Sequence, residues 1–181
     1  MKKLPIKNQQ GMSLMETVFA LAILVIGILS VLTMTGSSII LSQASEQNIV
    51  VVNLAREGLE LVRGVRESSI RSTAEVLPAG VDDFFAVADG CYLVGPDAAN
   101  FKLTSMSAVD CNDLANCTNC QLSLYNGVYT HNPLGTVTLF RRLVKFESIS
   151  GTEKRITSRV SWQERGRQHQ FILEDYLTEW Q

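Results

Sequence analysis

Residues 8–29, "NQQGMSLMETVFALAILVIGIL", place one carboxylate, Glu16, at the head of a long apolar run. From Thr17 to Ser45 the chain contains no Asp, Glu, Lys or Arg. As a helix, this uncharged run would be roughly 44 Å long at about 1.5 Å per residue, which exceeds the ~30 Å hydrocarbon thickness of a bilayer. The sequence therefore predicts a hydrophobic membrane-spanning helix, which we place at residues 12–45.

The flanks of this run indicate how it would lie in a membrane. Lys2, Lys3 and Lys7 precede it, and basic residues beside a membrane segment tend to stay in the cytoplasm. A cleaved secretory signal is a competing interpretation, but its apolar region usually covers about 7–15 residues and ends at a small-residue site. Val18 to Met34 continues beyond that length without such a site. We therefore expect a single-pass protein with its head outside the cytoplasm.

The composition and motifs disfavour several functional classes. The net charge is −2, and the part of the chain beyond the basic leader is mildly acidic, whereas nucleic-acid binding usually shows a basic patch. Neither a Walker A loop nor a dinucleotide-binding glycine fingerprint occurs, and His131 and His169 lack a hydrolase-like pattern of neighbours. We therefore expect a protein that is not an enzyme, uses no cofactor and does not bind nucleic acid.

The residues around Glu16 carry a resemblance to a known family. Gly11 ends the basic leader, an apolar residue follows, and Glu16 is the fifth residue after the glycine. The run "GMSLMETVFALAILVIGIL" resembles the N-termini of type IV pilins and of the related pseudopilins of type II secretion. Within that superfamily it is most similar to the V-type minor pilins, on Gly11, Ser13, Leu14, Glu16, Ala20 and Ile26–Leu29. Met12 departs from the phenylalanine that is most common after the cleavage site.

The resemblance implies processing at the glycine. In that family a membrane aspartyl prepilin peptidase cuts the leader, here residues 1–11, between the positions of Gly11 and Met12, and the new terminus is usually N-methylated. The α-amino group of Met12 would be a cation near neutral pH by its reference pKa of ~7.7–8.0. The family assigns Glu16 to pairing with the amine of a neighbouring subunit, an attraction that low dielectric strengthens. The alternative is a first-turn Glu that favours the helix dipole at headgroup depth.

The function implied by this resemblance is structural. It is that of a minor pilin of a type IV pilus, stored in the inner membrane as a precursor and later located in the pilus at the cell surface. Its partners would be other pilin subunits, the prepilin peptidase and N-methyltransferase, the inner-membrane assembly platform and the membrane. A minor pseudopilin of type II secretion is the nearest alternative. A signal-anchored surface protein that binds a ligand or acts as an enzyme is a further one, and it predicts an uncleaved N-terminus.

Residues 46–72 are predicted to continue the helix with a different face. Val52, Ala55, Leu59 and Val62 recur at three- and four-residue steps and form one apolar stripe. The other side carries charges at helical spacing: Arg56, Glu60, Arg63, Glu67 and Arg71. Gly58 and Gly64 each weaken a helix by up to about 1 kcal/mol, so we expect a bend or close packing there. This amphipathic half should cover a sheet.

Residues 73–181 are predicted to form a β-rich head. Short β-like runs begin at Cys91, Phe101 and Gln121, and the last contains Asn126-Gly127, a strong signal for a tight hairpin. Three longer runs, at residues 136–149, 154–165 and 167–177, are separated by turn residues and predict an antiparallel meander. The middle run alternates, with Ile156, Ser158, Val160 and Trp162 on one buried face. The fold class is therefore α+β, with the long helix packed on an antiparallel sheet.

All four cysteines fall in the predicted outward head, where an even number favours disulfides. They are Cys91, Cys111, Cys117 and Cys120. Four cysteines allow three pairings, of which we prefer Cys91 with Cys111 or with Cys120. Zinc is the alternative, although the spacing contains one C-x2-C pair instead of two.

One loop carries oxygen ligands that calcium could use. They are Asp110, Asn112, Asp113 and Asn116, but the cluster lacks the spacing and the glycine of an EF-hand loop. A solvated loop is the alternative interpretation. We predict no other metal site.

Overall fold

The fold is described here from a computed structural model, which covers residues 14–71, 77, 83–96, 101–107 and 111–179. Helix α1 runs from Leu14 to Arg71, and a 3₁₀ turn spans Phe84–Ala86. The chain divides into two compact units between Gln47 and Asn48. The leader, Gly11, Met12 and Asp110 lie outside the described residues.

The first unit is helical from Leu14 to Gln47. Its large apolar side chains are exposed, and the most apolar part of the helix contains no buried residue. By length and composition this helix is able to cross a membrane. This segment contains no proline, and its many Leu, Ile, Val, Met and Ala residues explain why it stays helical despite Gly27 and Gly36.

The second unit contains one antiparallel sheet of seven strands. The strands are β1 Gly90–Pro96, β2 Phe101–Ser105, β3 Gln121–Tyr125, β4 Val128–Thr130, β5 Thr136–Ser150, β6 Glu153–Glu164 and β7 Arg167–Thr178. The predicted hairpin is confirmed, because β3 pairs with β4 across Asn126 and Gly127. Both residues have positive φ, 51° and 80°, as a type I′ turn requires.

Strand β5 is the centre of the sheet. On one side it pairs with β6, and β6 pairs in turn with β7, so the predicted meander is confirmed. On the other side, the first half of β5 pairs with β3, with Gln121 opposite Arg141. The second half pairs with β1, with Cys91 opposite Lys145. Two hairpins therefore share one edge of a single long strand.

The second half of α1 packs on one face of this sheet and confirms the α+β class. One core cluster joins Val51 and Leu54 of the helix to Leu122 and Phe140 of the sheet. The other joins Val62 and Val65 to Val144, Phe146 and Ile156. Successive helix turns therefore meet successive residues of β5, so the helix and β5 run in the same direction.

Close packing, and not only apolar area, sets the distance between helix and sheet. A Cβ atom on Gly58 would lie 2.5 Å from Ser158 Oγ and 3.2 Å from Arg142 Cδ. Ser158 is fully buried. The sequence predicted either a bend or close packing at Gly58, and the structure shows close packing.

The expectation of a one-sided β6 is wrong in part. Ile156, Ser158, Val160 and Trp162 are buried on the helix side as predicted, but Thr157 and Ser161 of the opposite side are also buried. Between them, Arg159 Nη1 donates a hydrogen bond to the carbonyl oxygen of Cys111 at 2.7 Å. The cysteine-containing segment reaches the outer face of the sheet, which the strand's alternation could not reveal.

Candidate functional site

The first candidate site is the apolar surface of α1 between Leu14 and Gln47. Its large side chains are more than two-fifths exposed, from Ile40 at 43% to Leu14 at 80%. Exposed apolar area of this extent marks a surface that contacts lipid or another protein. Within the described part of this unit, no other segment covers this apolar surface.

Five hydroxyl side chains within this surface already have a hydrogen-bond acceptor in the helix. Ser30 Oγ donates to the carbonyl oxygen of Ile26 at 2.8 Å, and Thr35 Oγ1 donates to that of Val31 at 2.9 Å. Thr17, Thr33 and Ser37 make the same kind of bond to carbonyls three or four residues earlier. Because the hydroxyl donors are used inside the helix, transfer into hydrocarbon leaves none of these five without a partner.

Glu16 is exposed in the first turn of α1. The first four N–H groups of a helix have no intrahelical acceptor, and a carboxylate there is favoured by the helix dipole. It is the sole acidic residue of the helix before Glu46, so any cation approaching this end of the apolar surface meets one anion. The predicted partner, the amine of Met12, lies outside the described residues.

A buried arginine, which the sequence reasoning missed, joins the helix to the sheet. Arg142 of β5 is 1% exposed, and its Nη1 donates to the carbonyl oxygen of Leu54 at 3.2 Å. The same nitrogen lies 3.3 Å from Glu57 Oε1, and Nη2 donates to the carbonyl oxygen of Val94 at 3.3 Å. Burial lowers the pKa of Arg142, and the charge and hydrogen bond of Glu57 offset this in part. The alternation along β5 could have predicted this burial, because Arg142 lies on the same side of the strand as buried Phe140 and Val144.

The charge of Arg142 also acts on His131. Burial, and secondly Arg142, lower the pKa of His131 to about 4, which the backbone of Gln121 and Asn119 counteracts only in part. His131 is therefore neutral at physiological pH. The other histidine, His169, stacks on Trp162 with ring centroids 5.3 Å apart.

A second ionic contact lies at the surface of the helix. Arg63 Nη2 contacts Asp175 Oδ2 of β7 at 2.7 Å, and Nη1 of the same residue pairs with Glu60. The hydrogen bond that Arg63 donates to Asp175 is the main cause that raises the pKa of Arg63. The Glu60–Arg63 pair was expected from the sequence, whereas the contact with Asp175 depends on the position of β7.

The cysteines form two disulfides, Cys91–Cys111 and Cys117–Cys120, each with a Cα–Cα distance of 5.4 Å. Of the two partners expected for Cys91, the structure has Cys111. The zinc alternative is wrong, because no thiolate remains in either pair. Cys91, Cys117 and Cys120 pack with Leu114 and Leu143, which places the cluster on the face of β5 opposite the helix.

The calcium candidate forms a local turn. Asp113 Oδ2 accepts a hydrogen bond from Asn116 Nδ2 at 2.7 Å, and Oδ1 accepts one from Asn116 N at 3.3 Å. Asn112 is exposed, and Asp110 is outside the described residues. Among the residues that the structure describes, no three His, Cys, Asp or Glu side chains are grouped to hold a metal ion.

Comparison with protein-family models, with curated proteins and with solved structures finds no match to this chain. Function must therefore be inferred from its own residues. The first unit contributes an apolar helix that is able to cross a membrane, with an acid in its first turn, and the second unit contributes a disulfide-bonded sheet.

Proposed function

We propose that this protein is a minor pilin of a type IV pilus, cleaved after Gly11 and assembled through α1. The observation that carries the proposal is the uncovered apolar surface of residues 14–47 with a single carboxylate, Glu16, at its start. The resemblance of the N-terminal sequence to prepilins supports it independently. The protein acts by being incorporated into a filament and performs no chemical turnover.

The membrane is the storage site of the precursor. The apolar half of α1 holds the chain in the inner membrane, and Lys2, Lys3 and Lys7 keep the leader in the cytoplasm, with the head outside. Removal of the leader exposes the amine of Met12. In hydrocarbon, this cation and the carboxylate of Glu16 on an adjacent subunit stabilise each other, because either charge alone is costly there.

Packing between helices replaces packing against lipid during assembly. The exposed side chains of Phe19, Ile23, Ile26 and Leu29 lie at three- and four-residue steps and form one continuous ridge. Lipid tails are as apolar as these side chains, so the gain on assembly comes from van der Waals contact and from the Glu16 ion pair. Glu16 therefore sets the register between subunits.

The mass of the native N-terminus tests the first step. Protein isolated from its own membranes and digested should yield a first peptide that begins at Met12, with or without an N-methyl group. A first peptide that begins at Met1 would contradict the proposal and favour a signal-anchored surface protein. Mutation of Gly11 to Ala is the matched control, because a bulkier residue before the cut should leave the leader attached.

The charge at residue 16 tests the second step. Glu16→Ala should insert in the membrane as the parent does but be absent from sheared filaments. Glu46→Ala removes the other exposed acid of the apolar unit and should be incorporated normally. Equal amounts of both variants in filaments would contradict the role of Glu16. If the cleaved protein promotes secretion of folded enzymes and is absent from pili, the pseudopilin alternative replaces the pilin.

A further inference from the structure

One end of the head carries most of its exposed apolar side chains. Among the described residues between Asn48 and Glu179, eleven large hydrophobic residues are exposed, and seven of them lie at the end where the β3–β4 turn and the start of β5 meet. We call six of these the hairpin-end patch: Leu124, Tyr125, Val128, Leu134, Val137 and Leu139. The seventh, Ile49, is in α1. A patch of this kind on a folded head marks a contact surface.

The same segment is free of charge. From Leu114 to Phe140 the chain contains no Asp, Glu, Lys or Arg, although the strands that follow it are rich in all four. An uncharged surface enters a membrane interface without the cost of desolvating an ion. Tyr125 adds an aromatic ring with a polar tip, which is typical of residues at headgroup depth.

The patch lies toward the N-terminal end of the helix within the head itself. Val51 and Leu54, at the first turns of the head's helix, pack against Leu122 and Phe140. From that level β3 continues four residues to Asn126, which is about 13 Å at 3.3 Å per residue. The register of Leu124 with Thr136 places the start of β5 at the same end. The hairpin tip therefore extends beyond the core toward the N-terminal end of this unit's helix.

Two exposed arginines flank the patch at this end. Arg165 lies in the turn between β6 and β7 and Arg167 is the first residue of β7, and the register of Arg141 with Ser161 places this turn at the same end of the sheet as the start of β5. Neither arginine forms an ion pair with a described acidic side chain. Glu164, the last residue of β6, is opposite Arg167, so residues 164–167 together carry a net positive charge. Positive charge beside apolar side chains complements a bilayer with anionic headgroups.

We propose that the hairpin-end patch docks on the outer surface of the anchoring bilayer, with Arg165 and Arg167 on lipid phosphates. Docking needs α1 to lie in the membrane, which is part of the proposed function, but it does not need cleavage or a filament. The anchored helix holds the head near the lipid, so even a weak contact is populated as an intramolecular event. The docked head would be held in one orientation until a neighbouring subunit displaces the lipid.

Tryptophan substitution in the full chain tests this contact. Val128→Trp places the reporter in the patch, and Ile149→Trp places it at the opposite end of β5, at a position of similar exposure, 48% against 51%. Each variant is reconstituted in vesicles of phosphatidylcholine and phosphatidylglycerol, with and without bromine on the acyl chains. The emission of the parent protein is subtracted. Quenching by bromine and a blue shift are expected for Val128→Trp alone.

The arginines predict the dependence on lipid charge. Near an anionic surface one Arg contributes about 1 kcal/mol, so Arg165→Gln and Arg167→Gln should each lower the docked-to-free ratio about fivefold. Vesicles of phosphatidylcholine alone should lower the ratio of the parent most and that of each single variant less, because one arginine remains, and should leave the double variant Arg165→Gln with Arg167→Gln almost unaffected. An equal response of parent and variants to phosphatidylglycerol would overturn the role of the arginines.

Other outcomes overturn the proposal as a whole. Absence of quenching at residue 128, or equal quenching at residues 128 and 149, would show that the patch does not contact lipid selectively. A blue shift that grows with the protein-to-lipid ratio without bromine quenching would show that a second copy of the chain covers the patch. If Met12 is not the native N-terminus but quenching persists, the pilin proposal fails and the docking stands.

Discussion

The two halves of α1 belong to one helix but have opposite environments. Leu24, in the first half, is 54% exposed, whereas Leu54, in the second half, is 2% exposed. Leucine has the same helix propensity in both places, and no proline separates them. The difference arises because the sheet covers residues 51–65 on one face, whereas no described residue of the first unit covers residues 14–40.

Different interactions stabilise the two halves of α1. The second half is stabilised by burial against β3, β5 and β6, so its energetics are those of a protein core. The first half depends on a medium outside the chain, and substitutions there should change insertion or assembly without changing the unfolding of the head. Paired substitutions in the two halves measure this contrast.

The largest effect is expected at Arg142. Arg142→Ala should lower the free energy of unfolding of the head by about 3–5 kcal/mol, because it leaves a cavity beside Gly58 and removes a donor from two buried carbonyls. Chemical unfolding in detergent micelles, followed by near-ultraviolet circular dichroism, measures the loss. Arg141→Ala, on the opposite and partly exposed face, should cost less than about 1 kcal/mol. Equal losses would show that Arg142 does not hold the helix.

The leucine pair compares the two environments directly. Leu54→Ala should destabilise the head by about 2–5 kcal/mol, as expected for a leucine removed from a packed core. Leu24→Ala should leave the same unfolding transition within about 0.5 kcal/mol of the parent. A comparable loss in both variants would mean that residues 14–47 share the core of the head, and the contrast would be wrong.

The glycine pair tests close packing. Gly58→Ala should destabilise the head by about 1–3 kcal/mol, because the new methyl group meets Ser158 Oγ and Arg142 Cδ and its better helix propensity offsets only part of that cost. Gly27→Ala meets nothing within 4 Å and should stabilise the isolated helix or have no effect. The double variant Gly58→Ala with Ser158→Ala should recover part of the loss, and no recovery would assign the loss to another cause.

The smallest effect is expected at the surface pair of Arg63 and Asp175. Arg63→Ala should cost at most about 1 kcal/mol, because the pair is partly exposed and screened by salt. The measurement is the difference in unfolding free energy between low and high ionic strength, which should shrink in the variant. Arg56→Ala, on the exposed face of the same helix, is the control. If Arg63→Ala lowered the free energy of unfolding by more than about 2 kcal/mol, the contact would be stronger than a solvent-exposed ion pair, and this prediction would be wrong.

Much of the fold could be predicted from local patterns. The uncharged run from Thr17 to Ser45, the stripe of Ala55, Leu59 and Val62, and the alternation in residues 154–165 indicate elements whose type depends on short-range periodicity. The Asn126-Gly127 turn was also predictable, because few residue pairs adopt positive φ without strain. Each of these features can be recognised within one continuous stretch of sequence, the longest of which is the run from Thr17 to Ser45.

The contacts of the candidate sites could not be predicted in the same way. The guanidinium of Arg142 meets the carbonyl of Leu54 across 88 residues, and the pairing of Cys91 with Cys111 was one of several that the spacing allowed. The burial of Thr157 and Ser161 depends on a segment that lies far away in the chain. The hairpin-end patch combines residues from three strands, and only the pairing of those strands brings them to one end of the head.

The sequence by itself determined the helix, its uncharged half, the acid at its head and the order of the strands, because backbone preference and hydrophobic periodicity act between near neighbours. Tertiary structure decided the partners of Arg142, the pairing of the cysteines and the end of the head on which apolar side chains collect. These features depend on strand register and on the direction of α1 along β5. Such long-range geometry depends on the packing of the whole core, so it cannot be derived from any single segment of the sequence.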